Sequence, residues 1–252
     1  MKKKLLIILC VIFVGVSLSG CVSVNIGMPF GGGAEVRGVG AAEVFTFDVG
    51  EITEIIAQMH ININHHASAS NAVTLEIQPN LMEYVTVEES NGVLIVRSTR
   101  NIRAWGTGDG VGPVLTVNSP NLIAVSLTGA GTFTAFDTIT SETFSLTLAG
   151  AGRTTAGFDV DNLIINMSGA GDMNLSGRAD RTEITFSGAG TVSALNMQTR
   201  EADITMAGAG MVRISVSDLL RVAAGGVGTV EYRGNPVIDI TRGGLVTLRN
   251  VG

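Results

Sequence analysis

The chain has 252 residues, 45% of them hydrophobic and 15% charged, with 33 glycines, 5 prolines and 2 cysteines. Such a length and apolar share support a packed core, and abundant glycine without a three-residue period excludes collagen and points to many tight turns. Net charge is −6, and because Lys2, Lys3 and Lys4 are the only lysines, the remainder carries 13 arginines against 22 acids, a balance that disfavours a phosphate-neutralising, nucleic-acid-binding surface.

The N-terminus reads as an export signal over residues 1–20. Three lysines precede a 14-residue apolar stretch, Leu5 to Leu18, which falls short of the roughly 20 residues needed to span a bilayer. Leu18-Ser19-Gly20-Cys21 then has the spacing of a bacterial lipobox, so Cys21 is the expected lipidation site and the expected partner there is the membrane. Two or three acyl chains anchor stably, because each buried methylene adds about 0.8 kcal/mol and one chain alone is marginal. Cys10 leaves with the signal and Cys21 carries lipid, so the folded body retains no thiol for a disulfide or a zinc–cysteine site.

Residues 21–41 read as a lipidated flexible tether, centred on Met28-Pro29-Phe30-Gly31-Gly32-Gly33. Residues 42–120 read as an N-terminal β part. Period-two runs such as Val44–Val49, Met59–Asn64, Val73–Ile77, Tyr84–Val87 and Val93–Val96 are separated by Ser/Asn/Gly turns. Glu51–Gln58 suits a helical turn.

Residues 121–252 are governed by a repeat. Gly-Ala-Gly occurs at 129–131, 150–152, 169–171, 188–190 and 208–210, with Gly226-Val227-Gly228 as a variant; successive starts differ by 21, 19, 19, 20 and 18 residues. Residues four and two before the first glycine are always apolar (Val125 and Leu127 through Ile204 and Met206). The same parity returns four after it, at Phe133, Thr154, Met173, Val192 and Val212. Each copy is therefore strand, glycine corner, strand, with one face turned inward. The outward parity carries small polar residues such as Ser168, Asp172 and Asn174. Glycine on the inward parity suits a bend where a Cβ would strike the core or where φ must be positive. Identical corners every 19 residues are not required by a hairpin barrel; they fit an all-β β-solenoid with coils of about 19 residues marked by Gly-Ala-Gly corners. Solenoid ends need protection from edge pairing, so the first half and Tyr232–Gly252 are expected to act as caps.

Phe45-Thr46-Phe47-Asp48-Val49 at the start of the body, the serial Gly-Ala-Gly coils, and Tyr232-Arg233-Gly234-Asn235-Pro236 near the end resemble the putative auto-transporter adhesin, head GIN domain family. The resemblance covers about residues 42–250. It implies a right-handed β-helix-like fold, export, frequent lipid anchoring and no catalytic residues to carry over. Gly225-Gly226-Val227-Gly228 and Gly243-Gly244 depart from the pattern and leave the coil number open.

Catalytic chemistry finds little footing. His60, His65 and His66 are the only histidines, but His60 and His65 differ in parity, so no metal site is expected. Asp159, Asp161 and Asp172 would offer carboxylates to calcium or to glycoside hydrolysis, yet they read more readily as turn residues. Trp105, the single tryptophan, lies in the glycine-rich stretch 103–110 and is either a ligand-stacking side chain or a cover for one end of the core. The expectation is a non-enzymatic, exported envelope protein without cofactor, anchored through Cys21. Its role is surface binding or structure, its partner a glycan, a protein or a second copy of itself. A polysaccharide-active enzyme on a β-helix and a purely structural self-assembling module are the alternatives.

Overall fold

Alternating apolar and polar side chains make strands of almost every segment in this computed structural model, which describes residues 35–103 and 112–252. The signal region, Cys21, Trp105 and most of the expected tether lie outside the described residues. In chain order the strands of the first half are β1 (Val36–Arg37), β2 (Glu43–Phe47), β3 (Glu54–Ala57), β4 (Ile61–His66), β5 (Ala72–Ile77), β6 (Val85–Ser90), β7 (Val93–Ser98), β8 (Ile102–Arg103), β9 (Val114–Asn118) and β10 (Ala124–Leu127). The second half has β11 (Ala130–Leu148), β12 (Ala151–Met167), β13 (Ala170–Phe186), β14 (Ala189–Met206), β15 (Ala209–Ala224), β16 (Val227–Arg233), β17 (Val237–Arg242) and β18 (Leu245–Asn250).

From β10 onward every pairing is parallel, and each strand pairs with its counterpart one coil away. This is the β-solenoid expected from the repeat. Leu146, Ile165, Ile184, Ile204 and Val222 stack as one inward ladder; Phe133, Thr154, Met173, Val192, Val212 and Val230 form another. All are buried to 2% exposure or less, so each large apolar member contributes about 1.5–3 kcal/mol. Phe144 and Phe158, with ring centroids 5.0 Å apart, pack against each other in the core.

The corners explain the glycines, and the reason differs from the expectation. At the third corner Ser168 N–H and Gly169 N–H both donate to the Leu148 carbonyl, and Ala170 N–H donates to the Gly150 carbonyl at 2.9 Å. That same Gly150 oxygen lies 1.8 Å from where a Cβ on Gly169 would stand. The pattern recurs at Gly188 over Gly169, Gly208 over Gly188, Gly226 over Gly208 and Gly244 over Gly226. It is thus the carbonyl of the adjoining coil, turned to accept the corner hydrogen bond, that excludes a side chain, not the core. A positive φ adds to the demand at some second glycines, such as Gly190 at 134°, but not at Gly152 or Gly210.

The first half supplies a coil split by an insertion. β3 and β4 lie directly beneath β10 and the start of β11, in parallel register. The intervening residues form the β6–β7 hairpin and β5, which pairs antiparallel with β9 and with β2 from before the coil; β7 and β9 run parallel to β3 and β4 and so begin the stack. Glu51–Gln58 holds strand β3 instead of a helical turn, because Ile52, Ile55 and Ala57 are drawn into the core. The 3-10 helix Pro79–Tyr84 was not anticipated. The end of the expected tether is tied down: β1 pairs with β8, and Asn80 accepts from Val39 N–H and donates to the Arg37 carbonyl. Residues 232–252, expected as a cap, form the last pairings of the stack: β17 pairs with β15 and β18 with β16 through a further corner at Gly243-Gly244.

Candidate functional site

The coils are not all equal, and the site lies where they depart from 19 residues. Coil four is one residue longer and coil five one shorter. Their pairing slips between Ala194 and Gln198 and again between Thr199 and Glu201, so that Ser217 and Asp218 stand opposite Arg200 alone. A bulge of this kind re-aims side chains and opens the ladder.

Outward positions Arg178, Gln198, Ser215 and Arg233 follow one another on successive coils. With strands about 4.8 Å apart, the two arginines are set about 14 Å from one another, and the shorter side chains between them leave a groove. Its volume is about 520 Å³, and Ala179, Thr199 and Val216 line its inner side while Asp180, Arg200, Ser217 and Asn235 complete its rim. Gly234, at φ 107°, brings backbone into the wall where a Cβ would stand 2.1 Å from the Val216 carbonyl oxygen.

Charge in the groove is unevenly committed. Arg178 donates through Nε and Nη2 to Asp159 Oδ1 at 3.1 and 2.9 Å, which holds its guanidinium pKa above the usual value. Arg200 Nε donates to Asp218 Oδ2 at 3.2 Å. The Ser217 hydroxyl first, and then Arg200, hold the Asp218 carboxyl below the usual carboxylate range. Ser215 Oγ donates to the Leu195 carbonyl. Among the described residues, Arg233 has no carboxylate within ion-pair distance, and the side chains of Gln198 and Asn235 have no hydrogen-bond partner. The groove therefore keeps one uncommitted cation and two uncommitted amides, beside the carboxylate of Asp180.

The residues singled out from sequence fall elsewhere. His65 points inward, is 1% exposed, and its Nε2 lies 3.1 Å from Ser119 Oγ. Burial is the main cause that lowers its pKa; the adjacent His66 adds to this, and Ser119 and Asp137 oppose it. His66 faces out, stacked on Phe136 with centroids 4.8 Å apart and Nδ1 3.8 Å from Asp137. Ser119, His65 and Asp137 are no nucleophilic triad, because Ser119 is fully buried and the carboxylate faces the other histidine. Asp159 and Asp161 lie within β12, not in a turn, and Asp159 is bound by Arg178. Asp172 lies 3.9 Å from Arg153. Among the described residues no group of three or more His, Cys, Asp or Glu is disposed to hold a metal ion. Cys21 and Trp105 are outside the described residues. Sequence reasoning missed the groove; the signal was the drift in corner spacing to 20 and then 18 residues.

The family model described as "Putative auto-transporter adhesin, head GIN domain" matches residues 51–236. Among solved structures, a putative adhesin from Bacteroides fragilis NCTC 9343 is similar at 20% identity and a TM-score of 0.80, covering 86% of this chain and all of that one. A putative adhesin from Parabacteroides distasonis ATCC 8503 aligns at 20% identity and a TM-score of 0.68, covering 86% and all of the two chains. A protein from the same organism described as a putative lipid binding protein aligns at 17% identity and 0.66, covering 87% and all. At these identities the likeness speaks to the fold. No curated protein matches the chain.

Proposed function

Starting from the fact that the chain belongs to the putative auto-transporter adhesin, head GIN domain family, we propose that it is an exported, non-enzymatic surface-binding protein, held to the membrane by lipid on Cys21. The observation that carries this reading is the solenoid itself. A rigid stack of parallel coils presents an exterior of small polar side chains, and the groove near its last coils is lined by donors and a free cation. The lipobox spacing supports the anchor, and the adhesin family supports an extracytoplasmic location.

A structural, self-associating role is the second reading. β17 and β18 leave an open edge, with Val237 70% and Leu245 79% exposed, and an edge of this kind favours pairing with another chain.

The two readings separate in one experiment, in which the full chain in detergent is applied to an array of glycans and matrix proteins while its oligomeric state is recorded. Saturable binding supports the first reading, and Trp105→Ala is expected to weaken it at least tenfold if that aromatic stacks on the ligand. A blank array with stable oligomers supports the second, and released sugar on the array would reinstate a polysaccharide-active enzyme.

A further inference from the structure

Among the side chains that outline the groove, Arg178 and Arg200 already spend their charge on Asp159 and Asp218. Arg233 is left with five N–H donors in a fixed fork that matches a carboxylate. Gln198 and Asn235 each add an uncommitted amide, able both to donate and to accept, and Asp180 adds an acceptor. Groups that donate and accept in alternation match the hydroxyls of a sugar, and a volume of about 520 Å³ lies within the range of small-ligand sites.

The surrounding charge narrows the class further. The chain is acidic overall, at −6; Asp180 lies on the rim, and Asp159 and Asp218 neutralise Arg178 and Arg200 there. Three guanidiniums against three carboxylates leave no excess cation to hold several anionic groups on one sugar, whereas one carboxylate per sugar unit is accommodated by the single free guanidinium. We propose that this groove is a binding site for a monocarboxylate sugar, a uronic acid either free or as a unit of an acidic glycan, with Arg233 on the carboxylate and Gln198, Asn235 and Asp180 on the hydroxyls. This rests on the surface-binding reading above and names its ligand class and location.

The test titrates the full chain in detergent with galacturonate, its methyl ester, galactose and a short oligogalacturonate. Binding of the acid, at least tenfold loss with the methyl ester and with galactose, and a similar loss in Arg233→Gln are expected. Arg233→Lys should retain part of the affinity, since it keeps charge but loses the fork. Arg242→Gln, another exposed arginine of the last coil outside the groove, should change nothing. Tighter binding of the oligosaccharide than of the monosaccharide identifies a glycan as the source; equal binding identifies the free sugar acid.

Three results overturn the assignment: acid and ester bind alike, Arg233→Gln and Arg233→Lys both leave affinity intact, or no acid binds while another array ligand does. In the last case the surface-binding reading stands and only this ligand falls. Because the ester comparison uses the unaltered protein, a variant that misfolds does not obscure the outcome.

Discussion

His65 shows how a residue that suggests chemistry in sequence is claimed by the core. Its ring sits inward in β4, below 2% exposure, with Ser119 on Nε2 and no protein partner for Nδ1. A charged imidazole there would lose its hydration, and burial accordingly lowers its pKa below the usual value of 6.5. The folded state thus binds fewer protons than the unfolded chain wherever the pH is near or just below 6.5. Stability is full above that value and is lost as pH falls from it towards the lowered folded pKa. Thermal unfolding between pH 7.5 and 5 should show the midpoint dropping on acidification. His65→Gln, which keeps an amide near Ser119 and cannot titrate, should flatten that slope while leaving His66 in place. Equal slopes in the two proteins would place the acid sensitivity elsewhere.

At the scale of the coil, stability depends on how closely two corners approach. A Cβ on Gly169 would stand 1.8 Å from the Gly150 carbonyl oxygen, which is itself engaged by Ala170 N–H and cannot turn away. Gly157, in the same solenoid, meets only the Ser176 hydroxyl at 3.5 Å and the Thr138 hydroxyl at 3.8 Å. Gly169→Ala should therefore destabilise by about 3 kcal/mol or more, at the upper end of overpacking costs. Gly157→Ala should be neutral or stabilising by about 0.4–1 kcal/mol through the unfolded chain. Chemical denaturation of both variants checks this, and comparable effects would show that glycine is kept in the corners for some other reason.

The coil is also where legibility from sequence begins and ends. Phe133, Thr154, Met173, Val192 and Val212 sit at one offset from successive corners, so inward ladders, and hence the solenoid, follow from parity alone. The reason for the glycines did not, because a carbonyl on the neighbouring coil leaves no mark within its own repeat. Nor was the pairing of Glu54–Ala57 with Ala124–Leu127 visible, since the intervening insertion removes any local period. Arg178, Gln198, Ser215 and Arg233 converge only once each coil is stacked in register, and the slip that opens the groove appears in sequence merely as a spacing of 20 followed by 18.

The described residues form a solenoid with a groove near its far end and open edge strands on the last coil. Exposed ion pairs such as Arg181 with Glu201 or Arg153 with Asp172 contribute little, whereas Glu231, buried to 4% exposure, is held between Arg213 and Arg249. The stacking of one coil on the next, repeated along the axis, carries the stability. The proposed binding role places this body outside the cytoplasm, tethered through the Cys21 thiol. The most direct measurement is acyl labelling with an alkynyl palmitate in a bacterial host, combined with fractionation and protease access to intact cells or to cells with a permeabilised outer membrane. The wild-type chain should take the label, sediment with membranes and be cut from outside the cytoplasm, and Cys21→Ser should lose both label and membrane association. Labelling that survives Cys21→Ser, or an unlabelled chain retained in the cytoplasm, would contradict the account.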